Sequence, residues 1–515
     1  MKTTLKTLIA AFILLLGTTA CGDDDTKPGG NGEPGGQPEQ PEQPPVEPID
    51  PEDTLPEHLA EEVYMGGKPY YPIMMKYSTA VPVSWKDAKA RILPYLIGFD
   101  AACTRAEYVA KTNRYGSRTD LPAQEKTGRF YVKKIGDRWW LVDPYGYLHH
   151  HRGVASLRPG TSARNQTAFN QKFGSDTKWL KQTQEELAKV GVHGSGAFCT
   201  DYYQKIQAYN AMNQDKPITL TPSFSFLSQF RAKYGLSYCN GNSDTAVGLV
   251  LNEKWPTFCE EFIRSELRPY LNDPNVLGFY SDNEIDFTSN GTYILDRILD
   301  SKNTGDLAYQ AARSFMQGKG ADKVTEALND EFAGMLAEKY YKGVKEALLK
   351  VDRQMLYLGS RLHGKPKYME GIVRAAGKYC DVISINYYSR WDVELNGRVA
   401  DWAKWAPDAP FLVTEFYTKA MDTDLNNLSG AGFAVETQKD RAYAYQHFTL
   451  GLLEAKNCVG WHWFKYMDDD GNDNSGKPAN KGLFDNNYDI YPWLGMYMKN
   501  INYNAYKLID FFDGK

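Results

Sequence analysis

From about residue 128 onward, short apolar segments alternate with amphipathic stretches of helical period. That alternation narrows the fold more than any other feature. The run FYVKKIGDRWWLVDPYGYLHHHRGVAS reads as a hairpin with a PYG turn, followed by a first inner strand. GVHGSGAF follows the amphipathic WLKQTQEELAKV, and SFSFLSQF is a weaker third candidate. VLGFYSDNE is the fourth, after FCEEFIRSELRPYL. QMLYLGSRL, DVISINYY, PFLVTEFY and VGWHWFKY complete the series, most of them preceded by a helical stretch. Eight strands with intervening helices predict an α/β chain, a (β/α)8 TIM barrel over 128–515. An open doubly wound sheet is the alternative. It lacks support because no glycine fingerprint follows an early strand. Polar residues also crowd several strand ends, whereas an open sheet gathers its site at one switch point.

The residues before 128 read differently. Lys2 and Lys6 precede the apolar run LIAAFILLLG, which ends at TTAC and Cys21. This predicts a signal peptide over 1–20 rather than a spanning helix. It resembles a bacterial lipoprotein signal with Cys21 as the lipidated residue; the alternative is an ordinary secretory cleavage. The acidic run Asp23, Asp24 and Asp25 is similar to the export tag of surface lipoproteins in the Bacteroidetes. The expected location is therefore an outer membrane, held by lipid on Cys21. Residues 21–57 are rich in Pro, Gly, Glu and Gln and predict a disordered tether. Residues 58–127 are expected to be an N-terminal elaboration, with a helix over WKDAKARILPYLIGF. The other cysteines are scattered; Cys239 with Cys259 is one pairing an exported chain permits.

Two carboxylates stand where a barrel would use them. Glu284 follows VLGFYSDN and Glu415 follows PFLVT, so each ends a predicted strand, the fourth and the seventh. Strands four and seven face each other across a barrel mouth. Retaining glycoside hydrolysis needs such a pair, one charged and one protonated, about 5 Å apart. Aromatic residues make up 13% of the chain, with 11 Trp and 35 Tyr, and their faces suit sugar rings. Asn283 and Asp282 precede the first glutamate, and Phe416 and Tyr417 follow the second. Candidate substrate contacts are Asp282, Asn283, His151, Arg361, Asn386, Tyr388, Trp391, Tyr417, Trp461 and Trp463. Trp461 and Trp463 share a strand face, either the pocket floor or the core. Arg152, His193 and Asp201 are further rim candidates, and His363 follows strand five. The loop Asp468, Asp469 and Asp470 lacks the spacing of a calcium hand and reads as substrate contact or solvation.

Rival chemistries lack their signatures. A net charge of -5 without a basic stretch argues against a nucleic-acid partner. No HxxH or HExxH string suggests a metal hydrolase, and His149, His150 and His151 alternate in direction along a strand. HGSGA lacks the GxSxG elbow of a serine esterase. No metal or cofactor is expected. A non-catalytic surface glycan-binding protein remains as the other class.

The chain resembles glycoside hydrolase family 50, a group of β-agarases in the retaining barrel clan. The resemblance rests on LGFYSDNEI, VTEFYTKAMD, WWLVDPYGYLHHHRGV and VGWHWFKYMDDD, and spans about 128 to the end. It implies Glu284 as acid/base, Glu415 as nucleophile, and a galactan such as agarose as substrate. Thr414 and Tyr417 stand where the family pattern has Gly and His.

Overall fold

The computed structural model describes residues 63–65, 68–77, 84–199, 202–288, 293–427, 430–471 and 477–515. The predicted signal peptide, Cys21, the tether and Asp201 lie outside them. The chain is a mixed α/β protein whose central strands are short and parallel. His151–Val154 pairs with Gly194–Ser195, and Gly194 bridges Thr219. Leu220 bridges Val276, and Ser223 bridges Tyr280. Gly278–Phe279 pairs with Leu356–Tyr357, and Leu362 bridges Ile385. Ile383–Asn386 pairs with Phe411–Glu415, which pairs with Cys458–Trp463, which pairs with His151–Val154.

Alternation along these segments sorts their side chains. Leu277, Leu356, Leu358, Val382, Leu412 and Val459 share one buried cluster. Phe130 and Leu141 close that cluster; Leu141 comes from the hairpin Tyr131–Ile135 with Arg138–Val142. Phe279, Tyr357, Ile383, Phe411, Val413 and Cys458 turn the other way, into the larger core beneath the helices. Glu326–Leu349 and Gln438–Glu454 are two of the helices there. Each starts at a threonine whose side chain accepts a hydrogen bond from the third helical residue, Leu328 or Asp440.

Two expectations are corrected. The third extended segment is Thr219–Ser223, because FLSQFRAKY forms the helix Phe226–Tyr234. Its Phe226, Leu227 and Phe230 are buried at helical spacing, which a strand would split between two faces. Lys86–Ala90 is a strand antiparallel to Lys68–Lys76, not a helix, and a 3-10 turn with Pro94 follows it. Lys68–Lys76 also pairs with Phe433–Val435, which pairs with Thr418–Ala420, so the leading residues join the segment just after Glu415. Cys239 and Cys259 are both free buried thiols.

The two strand tryptophans share a face, and it is the helix-facing one. A bulge sets Phe411 and Val413 opposite Cys458 and Trp461. Gly460 lies within it, where an added Cβ would sit 2.2 Å from the His151 carbonyl oxygen. The extra residue reverses the alternation, so Val459 packs in the inner cluster while Trp461 and Trp463 pack in the outer one. Trp461 donates to the Tyr445 hydroxyl at 2.9 Å.

His462 therefore points inward and packs edge-on against His151, ring centroids 5.0 Å apart. His149 Nε2 lies 3.2 Å from His151 Nδ1. Burial pulls His151 down to about 3 and His149, His150 and His462 well below the ordinary imidazole value. A histidine held neutral stabilises the fold fully above its unfolded value near 6.5, and that contribution fades as pH falls below it. Buried Asp282 and Asp468, raised by burial to about 8 and about 6, act in the opposite sense, their contribution fading as pH rises. His462→Leu isolates one imidazole. It is expected to flatten the acid loss of unfolding free energy by about 1.4 kcal/mol per pH unit below 6.5. Denaturant titrations at several pH values check this; an unchanged slope contradicts it.

Candidate active site

Glu415 ends its strand and Asn386 ends the neighbouring one. A register shift after Ile385 sets Asn386 directly beside Glu415. Glu284 and Arg361 follow the ends of the paired strands Gly278–Phe279 and Leu356–Tyr357. Both adopt left-handed backbone, φ 51° and 57°, which is uncommon for residues with a Cβ. The turns swing the two side chains toward Glu415 and Asn386.

The two carboxylates are held differently. Glu415 is buried: one oxygen pairs with the Arg361 guanidinium, and the other accepts from the Tyr388 hydroxyl at 2.7 Å. Burial raises its carboxyl above the usual value, and Arg361 and Tyr388 pull against that rise. Glu284 is half-buried, accepts from Asn386 Nδ2 at 2.6 Å and lies 3.3 Å from His363 Nδ1. Burial lowers His363 to about 4, so a neutral imidazole faces this carboxyl at pH 7. Arg361 also donates to Asn283 Oδ1 at 2.9 Å, which ties the two glutamate segments together.

Glu284, Glu415, Asn283, Arg361, Asn386 and Tyr388 thus meet in one place. Tyr417 continues the wall, its ring 5.5 Å from Tyr388 and 5.8 Å from Phe464. Trp391, Tyr388, Tyr417 and Trp463 line one small cavity of about 30 Å³ with Tyr387 and Phe433. Trp463 is nevertheless anchored from behind, donating to the Lys481 carbonyl at 3.0 Å.

Three candidates stand elsewhere. Asp282 turns into the core, where it meets the Tyr340 hydroxyl at 2.6 Å and the Leu227 N–H. His151 lies in the interior against His149 and His462, and Trp461 belongs to the core. The Asp468–Asp470 loop is structural. Asp468 accepts from the Gly482 N–H and the Tyr491 hydroxyl, both at 2.6 Å, and Asp469 pairs with Lys465 and Lys481. Among the rim candidates, Arg152 is buried and bonded to the Gly191 carbonyl, and His193 meets the Tyr108 hydroxyl at 2.6 Å.

Two contributors are not among the predicted site residues. The Phe198 ring lies 4.6 Å under the Arg361 guanidinium, a cation–π contact that supports a charge cut off from water. Thr414 donates to Asn386 Oδ1 at 2.7 Å, which fixes the amide so that its nitrogen faces Glu284. Thr414 read as a departure from a motif, and its partner is on another strand.

No family model matches the chain. The crystal structure of BpGH50 superposes with a TM-score of 0.82 at 45% identity, over 88% of this chain and 98% of that one. The chain belongs to glycoside hydrolase family 50. A fold shared with this family 50 protein extends to the structure of an exo-β-agarase, with a TM-score of 0.64 at 20% identity over 78% of this chain and 68% of that one. Beta-agarase B of Vibrio sp. (strain JT0107) is 25% identical over 446 residues, 69% of this chain. The family 50 chain spans under half of that relative, 45% of its length.

Proposed function

We propose that this family 50 protein is a retaining glycoside hydrolase of β-linked polysaccharide, with agarose or a related galactan as substrate. Glu415 is the nucleophile and Glu284 the acid/base. The observation that carries this reading is the unequal treatment of two adjoining carboxyls. Glu415 is locked by Arg361 and Tyr388, which orient a charged group for attack on an anomeric carbon. Glu284 is more open and rests against an amide and a neutral imidazole, where it can give a proton to the leaving oxygen and later take one from water. Kinship with a β-agarase supports the galactan.

The reading includes a (β/α)8 barrel, supported by the chain of eight parallel pairings and by side chains that alternate between inner and outer clusters. It also includes a lipid anchor on Cys21 and a tether that holds the catalyst off an outer membrane, for which the N-terminal sequence is the support.

The test is a panel of polysaccharides offered to the full chain, with product sizes followed over time. Agarose oligomers are expected from wild type. Glu284→Gln is expected to lower kcat by about 10²–10⁴-fold, the usual worth of a general acid. Binding of a glycan with no cleavage of any would establish the non-catalytic reading instead.

A further inference from the structure

Helix Glu326–Leu349 carries two consecutive, fully buried tyrosines, Tyr340 and Tyr341. Neighbouring helical side chains diverge by about 100°, so the two reach different targets. The Tyr340 hydroxyl lies 2.6 Å from both Ser281 Oγ and Asp282 Oδ2. The Tyr341 hydroxyl lies 2.7 Å from Ser360 Oγ. Ser281 and Asp282 lead into Glu284. Ser360 leads into Arg361, which grips Glu415.

The two segments are also bonded to each other. The Ser281 N–H donates to the Gly359 carbonyl at 2.9 Å, and the Glu284 N–H to the Ser360 carbonyl at 3.1 Å. Ser281 Oγ further meets the Tyr357 hydroxyl at 2.8 Å. Each tyrosine therefore fastens one of the two turns that enter left-handed backbone, at Glu284 and at Arg361. Such conformations persist when surrounding contacts over-determine them. Burial raises Asp282 to about 8, which favours its neutral form and limits the charge buried at its bond to Tyr340.

We propose that Tyr340 and Tyr341 are a paired clamp of positioning residues: Tyr340 sets the backbone of Glu284, Tyr341 sets that of Arg361, and together they hold acid/base and nucleophile in register. The activity consequence rests on the hydrolase reading; the backbone consequence does not.

The experiment compares Tyr340→Phe and Tyr341→Phe with Tyr497→Phe in the full chain. Tyr497 is buried, and its hydroxyl meets Tyr443 at 3.1 Å, remote from both turns. Each variant removes one hydroxyl and leaves the ring. Crystal structures are expected to show the left-handed φ lost or shifted at Glu284 in the first and at Arg361 in the second. On the glycan that wild type cleaves, kcat is expected to fall about tenfold or more with KM held within about twofold, since misplacement by a fraction of an ångström costs rate. With an aryl glycoside of that sugar the Tyr340→Phe deficit shrinks, because a good leaving group needs little protonation. The Tyr341→Phe deficit persists. Unchanged φ at both turns overturns the clamp, as does a kcat loss no greater than that of Tyr497→Phe. If wild type cleaves no glycan, the hydrolase reading fails and the crystal structures still decide the clamp.

Discussion

Glu415→Gln is expected to abolish turnover while the folded chain still binds glycan. The substitution keeps the shape and an acceptor for the Tyr388 hydroxyl, so the wall of the site survives. It removes the only charge on the attacking group. An amide cannot form the covalent glycosyl intermediate, so kcat should drop on the order of 10⁴-fold or more. The loss exceeds that of Glu284→Gln because some substrates leave without a proton and none react without a nucleophile. Glu415→Ala adds a sharper check. It opens room where the carboxylate stood, and azide entering there should restore turnover with inverted anomeric configuration, a single displacement instead of two. Residual activity above about a tenth of wild type in the Gln variant contradicts the assignment.

Arg361→Met is expected to have the largest effect on stability. Arg361 is fully buried, and its guanidinium serves Glu415, Asn283 and the Thr414 carbonyl at once. Methionine fills similar volume over Phe198 and supplies no charge. Removing one member of a buried pair leaves the other uncompensated, at a cost of about 3–5 kcal/mol. Glu415 can escape that cost by taking up a proton, since burial already raises its carboxyl and Arg361 opposes the rise. The sign of the pH effect follows. Attack needs the ionised form, so the acidic limb of the rate profile should move to higher pH in the variant. Denaturant unfolding measures the first effect and kcat against pH the second. An acidic limb left in place would mean that Arg361 does not hold the Glu415 charge.

Much of the site was legible because strand ends are written in local pattern. An apolar run that stops at a carboxylate places Glu415 whatever its neighbours are, and the same holds for Asn386 and Tyr388 after ISI. The failures share a different origin. Alternate spacing puts Trp461 and Trp463 on one face, but which face depends on the bulge opposite Phe411 and Val413. SFSFLSQF reads as a strand because short apolar runs suit both periods, and burial of Phe226, Leu227 and Phe230 chooses the helix. Proximity in sequence groups Asp282 with Glu284, yet a turn separates them and Tyr340 claims the first.

The sequence by itself determined that strands alternate with helices, that two glutamates close apolar runs, and that aromatic side chains gather near them. Those properties are local, set by the period of apolar residues along a few turns or a few strand positions. The tertiary structure alone decided which carboxyl is locked and which is open. Arg361, Asn386, Thr414, Phe198 and Tyr388 come from four separate parts of the chain, and each acts through a contact only a few ångströms long. Charge, burial and hydrogen bonding at Glu415 and Glu284 are properties of that enclosure, which no stretch of sequence contains.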